Sequence, residues 1–175
     1  MIDRETVMAS FRAVRNNTLQ VARDIPAEQY GFRPAASHSS VLEFFRNLVR
    51  ATEFITSVAL HPETVDLRDP AGRDAAVAAH TFSPWQTLAD KDEVVKTLAA
   101  SFSEIERRVN AADDALLQSK FTAPDGAEKI RLWQINCAKE QEMVIRGQLM
   151  LVERILGIVP HTTRRQHEEK TAAAR

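Results

Sequence analysis

The stretch EKIRLWQINCAKEQEMVIRGQLMLVERILG, residues 128–157, decides the fold of this chain. Its apolar residues recur every three or four positions, which places them on one face of a helix. They are Leu132, Ile135, Ala138, Ile145, Leu149, Val152 and Leu156. Gly157 stands where a helix C-cap is expected, and Pro160 follows it. The pattern predicts a helix over about residues 128 to 156, roughly 40 Å long at 1.5 Å per residue.

Three earlier segments show the same period and predict helices over about residues 3 to 23, 41 to 60 and 91 to 110. Asp3 stands at the N-cap position of the first segment and Ser39 or Ser40 at that of the second, and Pro26 and Pro62 follow the ends of these two segments. Four amphipathic helices, with no longer strand pattern and no internal repeat, predict an all-α four-helix bundle over residues 1–160. The segment 61–87 between the second and third helices is long enough for a crossover connection. The polar residues 161–175 are predicted to be a frayed or disordered C-terminal tail.

Composition excludes several classes of protein. The chain has 175 residues, a formal net charge of -1 and a single cysteine. No window approaches the ~20 apolar residues that span a bilayer, and the near-neutral charge argues against nucleic-acid binding. One cysteine cannot form an internal disulfide, and the first residues, MIDRETVMAS, carry charges where a signal peptide needs an apolar run. We therefore expect a cytoplasmic protein with no membrane and no nucleic-acid partner.

Motifs that carry chemistry are scarce. The five histidines fall in predicted connections or in the tail, and no HxxxH, HExxH or CxxC spacing occurs. His80 stands near Phe82, Pro84 and Trp85, an aromatic cluster that we place over one end of the bundle. Cys137 is predicted to be a small, buried apolar side chain. The alternative is a reactive thiol, which requires nearby cations to lower the pKa of the thiol.

Two stretches nevertheless resemble a known family. RNNT, DIPAEQYGFRP and SSVLEFFRNLVRATEF, between Phe11 and Phe54, resemble the first two helices of the DinB/YfiT-like family. RGQLMLVERILGIVP, residues 146–160, resembles its closing helix, which typically reads HxxHHRGQL before LGxxPP. The resemblance covers nearly the whole chain and implies a four-helix bundle with a long crossover.

The same resemblance implies a divalent metal such as nickel or zinc, held by three histidines. Those positions fall here on Asn47, Gln141 and Ile145, so all three histidines are absent. Imidazole suits these metals, whereas an amide oxygen is a weak ligand and isoleucine is none. We therefore expect a degenerate site with no metal and no other cofactor. We also expect Asn47 and Gln141 to be buried and hydrogen-bonded to each other, with Ile145 filling the remaining volume.

Three functions stay open at this point. The chain is interpreted as a non-metal small-molecule-binding protein or an interaction protein, with a homodimer compatible with either. The alternative is a thiol-dependent S-transferase or isomerase-like enzyme, as in metal-bearing relatives, so enzymatic activity is left undecided. A pocket is expected around the three family positions, with Cys137, Arg146, His80 and Trp85 as its neighbours. A cavity above ~300 Å³ there would favour binding or catalysis over an interaction role.

Overall fold

The computed structural model describes residues 3–61, 69–71, 74, 82–123 and 125–173. Four long helices dominate it: α1 (Arg4–Asp24), α2 (Val41–Leu60), α3 (Lys91–Ala111) and α5 (Arg131–Ile155). Between α3 and α5 lie a short helix, α4 (Asp114–Gln118), and a two-stranded hairpin. The hairpin pairs β1 (Lys120–Thr122) with β2 (Glu128–Ile130), and α6 (His161–Ala173) ends the described chain. The predicted all-α bundle is confirmed, with the first three helices within one residue of their expected bounds.

The helix packing follows a simple rule: α1 and α2 each contact both α3 and α5. The first two helices therefore lie diagonally across the bundle. Lys91, at the start of α3, donates to the carbonyl oxygens of Arg23 and Ile25 at the end of α1, so α2 and α3 begin at the same end of the bundle. Most of the predicted crossover connection, residues 61–87, lies outside the described residues. One apolar cluster fills the end near the α1–α2 connection, and a second fills the opposite end, where Phe11 meets the edge of Phe102 at 5.2 Å between ring centroids.

Side-chain caps begin the first three helices, and those of α1 and α2 stand at positions that the sequence indicates. Asp3 accepts a hydrogen bond from the Thr6 amide at 2.7 Å. Ser40 and Glu43 form a reciprocal capping box at the start of α2. Asp90 accepts from the amide of Glu93 at the start of α3. These short-range bonds satisfy amide groups that have no partner within a helix.

The hairpin is a feature that the sequence pattern did not predict. Three-residue strands are too short to show an apolar period, and the register is set by the turn, where Gly126 adopts a φ of +81°. Because β2 occupies residues 128–130, the last long helix begins at Arg131, about one turn later than the apolar period suggests.

The C-terminal segment also differs from the prediction of a frayed or disordered tail, since residues 161–173 form α6. Polar side chains attach it to α1: Arg164 pairs with Asp24 at 2.6 Å, and His161 lies 3.1 Å from the Asn17 side-chain oxygen. A helix held by ion pairs and hydrogen bonds shows no apolar stripe, so apolar periodicity cannot detect it. The domain boundary at residue 160 stays a prediction. None of the described helices is long and apolar enough to cross a membrane.

Candidate functional site

A cavity of about 620 Å³ lies between α3 and the segment 82–88, which we call the wall segment. This volume is within the range of small-molecule pockets. Its described lining combines apolar, hydroxyl and charged side chains: Phe82, Ser83, Pro84, Thr87, Leu88, Glu93, Lys96, Thr97, Ala100, Ser101 and Glu104. No residue of α2 or α5 belongs to that lining. The cavity therefore lies away from the α2 and α5 positions where a pocket was expected.

Two side chains of α2 hold the wall segment in place, and a third lies beside it. The Arg46 guanidinium donates from Nε to the Leu88 carbonyl oxygen at 3.0 Å, and Arg50 lies over the Trp85 ring at 5.9 Å. Glu53, one turn further along, faces the Ser83 hydroxyl. Their spacing of four and then three residues places them on one face of α2.

Glu53 is the buried member of this group. Burial raises the pKa of its carboxyl, and the Ser83 hydroxyl and the backbone of Phe82 and Ser83 partly oppose that rise. Neither carboxylate oxygen makes a hydrogen bond of normal geometry within the described part of the chain. On the other side of the wall segment, Arg108 of α3 lies 4.3 Å from the Phe82 ring centroid. The wall is thus clamped between α2 and α3.

Ser101 connects the cavity to a fully buried ion pair. Arg15 of α1 and Glu142 of α5 have side-chain exposures of only 1% and 0%, and Arg15 Nη2 lies 2.7 Å from Glu142 Oε2. Arg15 Nε also donates to Glu142 Oε1 at 2.9 Å, while Nη1 donates to the Leu98 carbonyl oxygen at 2.6 Å and to Ser101 Oγ at 2.9 Å. The guanidinium thereby links α1, α3 and α5 at the bottom of the cavity.

Sequence reasoning missed this pair, although a signal was present. Arg15 follows Phe11 by four residues, and Glu142 follows Ala138 by four, so each charge falls within the apolar face of its helix. A buried charge requires an opposite partner and hydrogen bonds, because desolvation of a lone ion is costly. Two opposite charges on two core-facing stripes are thus a detectable indication of contact.

The three family positions are arranged differently from the expectation. Asn47 and Gln141 are exposed, while Ile145 is buried. No hydrogen bond joins the two amides in the described structure, so the predicted buried amide pair is wrong. The inward face of α5 passes through Ala138, Glu142 and Ile145, which leaves Gln141 at its edge. Their assignment to a pocket stays a prediction, and the cavity described above does not include them.

The expected pocket neighbours are also dispersed. Cys137 is half-buried, and burial, together with the charge of Glu140, raises the pKa of its thiol. Arg146 is half-buried and donates to the Val14 carbonyl oxygen at 3.4 Å. Trp85 belongs to the wall segment, beside the cavity. His80 lies outside the described residues.

A metal does not fit the donor set at the family positions. Ile145 offers only hydrocarbon, and the two amides are weak, uncharged donors for a transition metal. Among the described residues, no three histidine, cysteine, aspartate or glutamate side chains are grouped to hold a metal ion.

Comparison with known proteins agrees with this architecture. The family model of the DinB superfamily matches residues 10–136. The chain belongs to the DinB superfamily. The DinB-like protein YjoA from Bacillus subtilis superposes with a TM-score of 0.63 at 15% identity, over 87% of this chain and 92% of that one. A search of curated proteins found no match.

A second structural comparison concerns an enzyme. Mycothiol-dependent maleylpyruvate isomerase superposes with a TM-score of 0.60 at 10% identity, over 82% of this chain. This chain spans 59% of the isomerase. At these identities both structural likenesses concern the fold alone.

The Arg15–Glu142 pair leads to a stability prediction. Glu142→Leu leaves the Arg15 guanidinium buried without its counter-charge and is expected to lower the free energy of unfolding by about 3–5 kcal/mol. The double variant Arg15→Met/Glu142→Leu removes both charges and is expected to recover most of that loss. Urea denaturation followed by circular dichroism measures both.

The partly exposed ion pair between Arg12 of α1 and Glu106 of α3 supplies the control, since Arg12 stands about one turn before Arg15 on the same helix. Glu106→Gln is expected to cost less than about 1 kcal/mol. A double variant that loses as much stability as Glu142→Leu alone would contradict the expected recovery, and losses for Arg15→Met and Glu142→Leu that simply add in the double variant would show that the two buried charges are not energetically coupled.

Proposed function

We propose that this DinB-superfamily protein binds a small molecule in the cavity between α3 and the wall segment. The observation that carries the proposal is the cavity itself, whose volume of about 620 Å³ suits a small ligand. Its wall is held by specific contacts from Arg46 and Arg50, which supports a preformed site.

The lining favours an amphipathic ligand. Phe82, Pro84 and Leu88 offer an apolar surface, whereas Thr97 offers a hydroxyl group deeper on α3. The Ser101 hydroxyl already accepts from Arg15 and donates to the Leu98 carbonyl oxygen. At the rim, Glu104 is held by Arg107 and Arg108, and these hydrogen bonds lower its pKa to about 2. Its carboxylate is therefore already paired, and the ligand is expected to meet mainly hydroxyl and hydrocarbon groups.

We also propose that this chain works without a transition metal at the family positions, because Asn47, Gln141 and Ile145 lack the donors that such a metal needs. The alternative, a thiol-dependent S-transferase or isomerase-like activity, has the fold of the mycothiol-dependent isomerase as its support. Cys137 does not favour it, since a thiol with a raised pKa carries less of the reactive thiolate at neutral pH. Binding is therefore the function that the geometry supports best.

Ligand binding is tested by filling the cavity. Small aromatic amines and carboxylic acids are screened by NMR through amide shift changes at Thr97 and Ser101. Ala100→Trp places an indole in the cavity and is expected to weaken such binding by about tenfold or more, equivalent to ~1.4 kcal/mol. Ala99→Trp is the control, because Ala99 is the exposed neighbour of Ala100 and does not belong to the lining. Similar weakening by both variants, or shifts confined to other parts of the chain, would contradict the proposal.

Metal independence is tested by loading. Untagged protein is purified without chelator, exposed to zinc, nickel, manganese and iron, desalted and subjected to elemental analysis. Retention far below one equivalent is expected, because the donors are amides and hydrocarbon. Stoichiometric retention of any of these metals would contradict the proposal and return the thiol-transfer alternative to first place.

A homodimer is a second candidate function, and an exposed apolar face of α5 favours it. Val144 and Leu151 are 57% and 58% exposed. Trp133 and Ile155 extend the same face along the helix. Gly147 lies at its centre with no atom within 4 Å of where a Cβ would stand, so another backbone can approach closely. An exposed row of this kind typically marks an interaction site.

The charges beside this face suit a second copy of the chain. In a two-fold, antiparallel pair of α5 helices crossing at Gly147, residues seven positions before and after the crossing face each other. Those residues are Glu140 and Arg154, of opposite charge and both exposed. Each Val144 and Leu151 then packs near the centre. We propose that α5 forms this homodimer contact.

Charge exchange tests the homodimer. Glu140→Arg is expected to weaken self-association, measured by analytical ultracentrifugation, because it brings like charges together. The double variant Glu140→Arg/Arg154→Glu is expected to restore it, and Val144→Glu to abolish it. A monomer at all concentrations, or a dimer insensitive to all three variants, would contradict the proposed contact.

A further inference from the structure

A buried carboxyl group lies near the attachment of α6 to the bundle. Glu153, in the last turn of α5, is fully buried at 0% exposure. Neither of its carboxyl oxygens has a hydrogen-bond partner within the described residues. Nothing in the proposed ligand cavity or in the α5 face uses this group. Buried polar atoms without partners are uncommon and call for an explanation.

The charges that act on Glu153 come from three helices. Asp24, at the end of α1, opposes ionisation of Glu153, while Arg164 of α6 and Arg154 of α5 favour it. From α2, the apolar Val41 and Val49 belong to the same core cluster as its neighbour Val152.

The contacts that attach α6 to α1 involve charges that act on Glu153. Arg164 is paired with Asp24, the carboxylate that also disfavours a charge on Glu153. His161, at the start of α6, is hydrogen-bonded to Asn17, and the Ile158 amide before it donates to the Glu153 carbonyl oxygen at 2.8 Å. The residues that attach α6 and the buried carboxyl thus share one junction between α1, α5 and α6.

Ionisation of Glu153 has a clear cost in this junction. A neutral carboxylic acid tolerates an apolar site, but a buried carboxylate without hydrogen bonds does not. If α6 moves away from α1, water reaches the junction and the carboxylate becomes hydrated. We propose that α6 is a pH-dependent latch, docked against α1 while Glu153 is protonated and released as Glu153 ionises.

The direction of the pH dependence follows from linkage. Burial, followed by Asp24, raises the pKa of Glu153 from 4.5 to about 7 in the docked state. Docking is then fully favoured below about pH 4.5 and is lost as the pH rises through about 7. If release fully hydrates Glu153, the factor by which Glu153 contributes to the equilibrium constant for docking of α6 falls about tenfold between pH 6 and pH 8.5.

His161 acts in the opposite direction. Burial is the main reason why its pKa is lowered, with the cations Arg146, Arg164 and Arg165 adding to the effect and Asp24 opposing it. Its contribution to docking is present above about pH 6.5 and is lost as the pH falls. The Glu153 effect is therefore isolated by comparing two proteins that both retain His161.

Hydrogen exchange of α6 amides, corrected for the intrinsic exchange rate, tests the latch in the full chain. The ratio of wild-type protection to Glu153→Gln protection is expected to fall about tenfold between pH 6 and pH 8.5. Glu168→Gln, which removes an exposed carboxylate of α6 itself, is the control and is expected to behave as wild type. The same pH dependence in wild type and in Glu153→Gln would overturn the proposal.

A second variant at Glu153 and the behaviour of the wild-type protein provide further tests of the latch. Glu153→Leu places hydrocarbon beside the apolar core and serves if the glutamine variant does not fold; it is likewise expected to lose the alkaline release. In the wild-type protein, the protection of α6 amides has to decrease from pH 6 to pH 8.5, and an absence of change would overturn the proposal. An equal decrease in the protection of α2 amides would also overturn a latch confined to α6. These outcomes are independent of ligand binding and of dimerisation.

Discussion

The buried ion pair between Arg15 and Glu142 is the constraint on which the centre of the bundle depends. Two charges at the core are stable only with near-ideal geometry and further hydrogen bonds, and here Leu98 and Ser101 of α3 provide those bonds. This requirement sets how α1, α3 and α5 meet. Hydrophobic packing alone permits small rotations of each helix, whereas a bidentate ion pair permits few.

The same constraint helps to place the cavity. Ser101 is held by Arg15 on its inner side and lines the cavity on the other. The opposite wall is held by Arg46 and Arg50, which α2 presents on one face. The cavity in this DinB-superfamily chain is therefore built against α3, while the positions that the family resemblance assigns to a metal carry exposed amides and a buried isoleucine.

The helix α5 presents a different set of side chains on its inner face, on its outer face and in its last turn. Its inner face supplies Glu142 to the core, and its outer face exposes Val144 and Leu151. Its last turn buries Glu153 near α6. A 25-residue helix has enough turns for these faces to be separate, so a change in one need not disturb the others.

The sequence by itself determined the four long helices, their caps and the all-α class, because apolar period and capping are short-range properties. Family membership was also readable, from stretches such as RGQLMLVERILGIVP. It did not determine the hairpin, which is too short to show a period, or α6, which is attached by polar contacts. Tertiary structure alone decided that Asn47 and Gln141 are exposed and that Arg15 meets Glu142. The reason is physical: side-chain burial and pairing depend on the rotation of each helix against its neighbours, and residues 127 positions apart in the chain come into contact only once the bundle has formed.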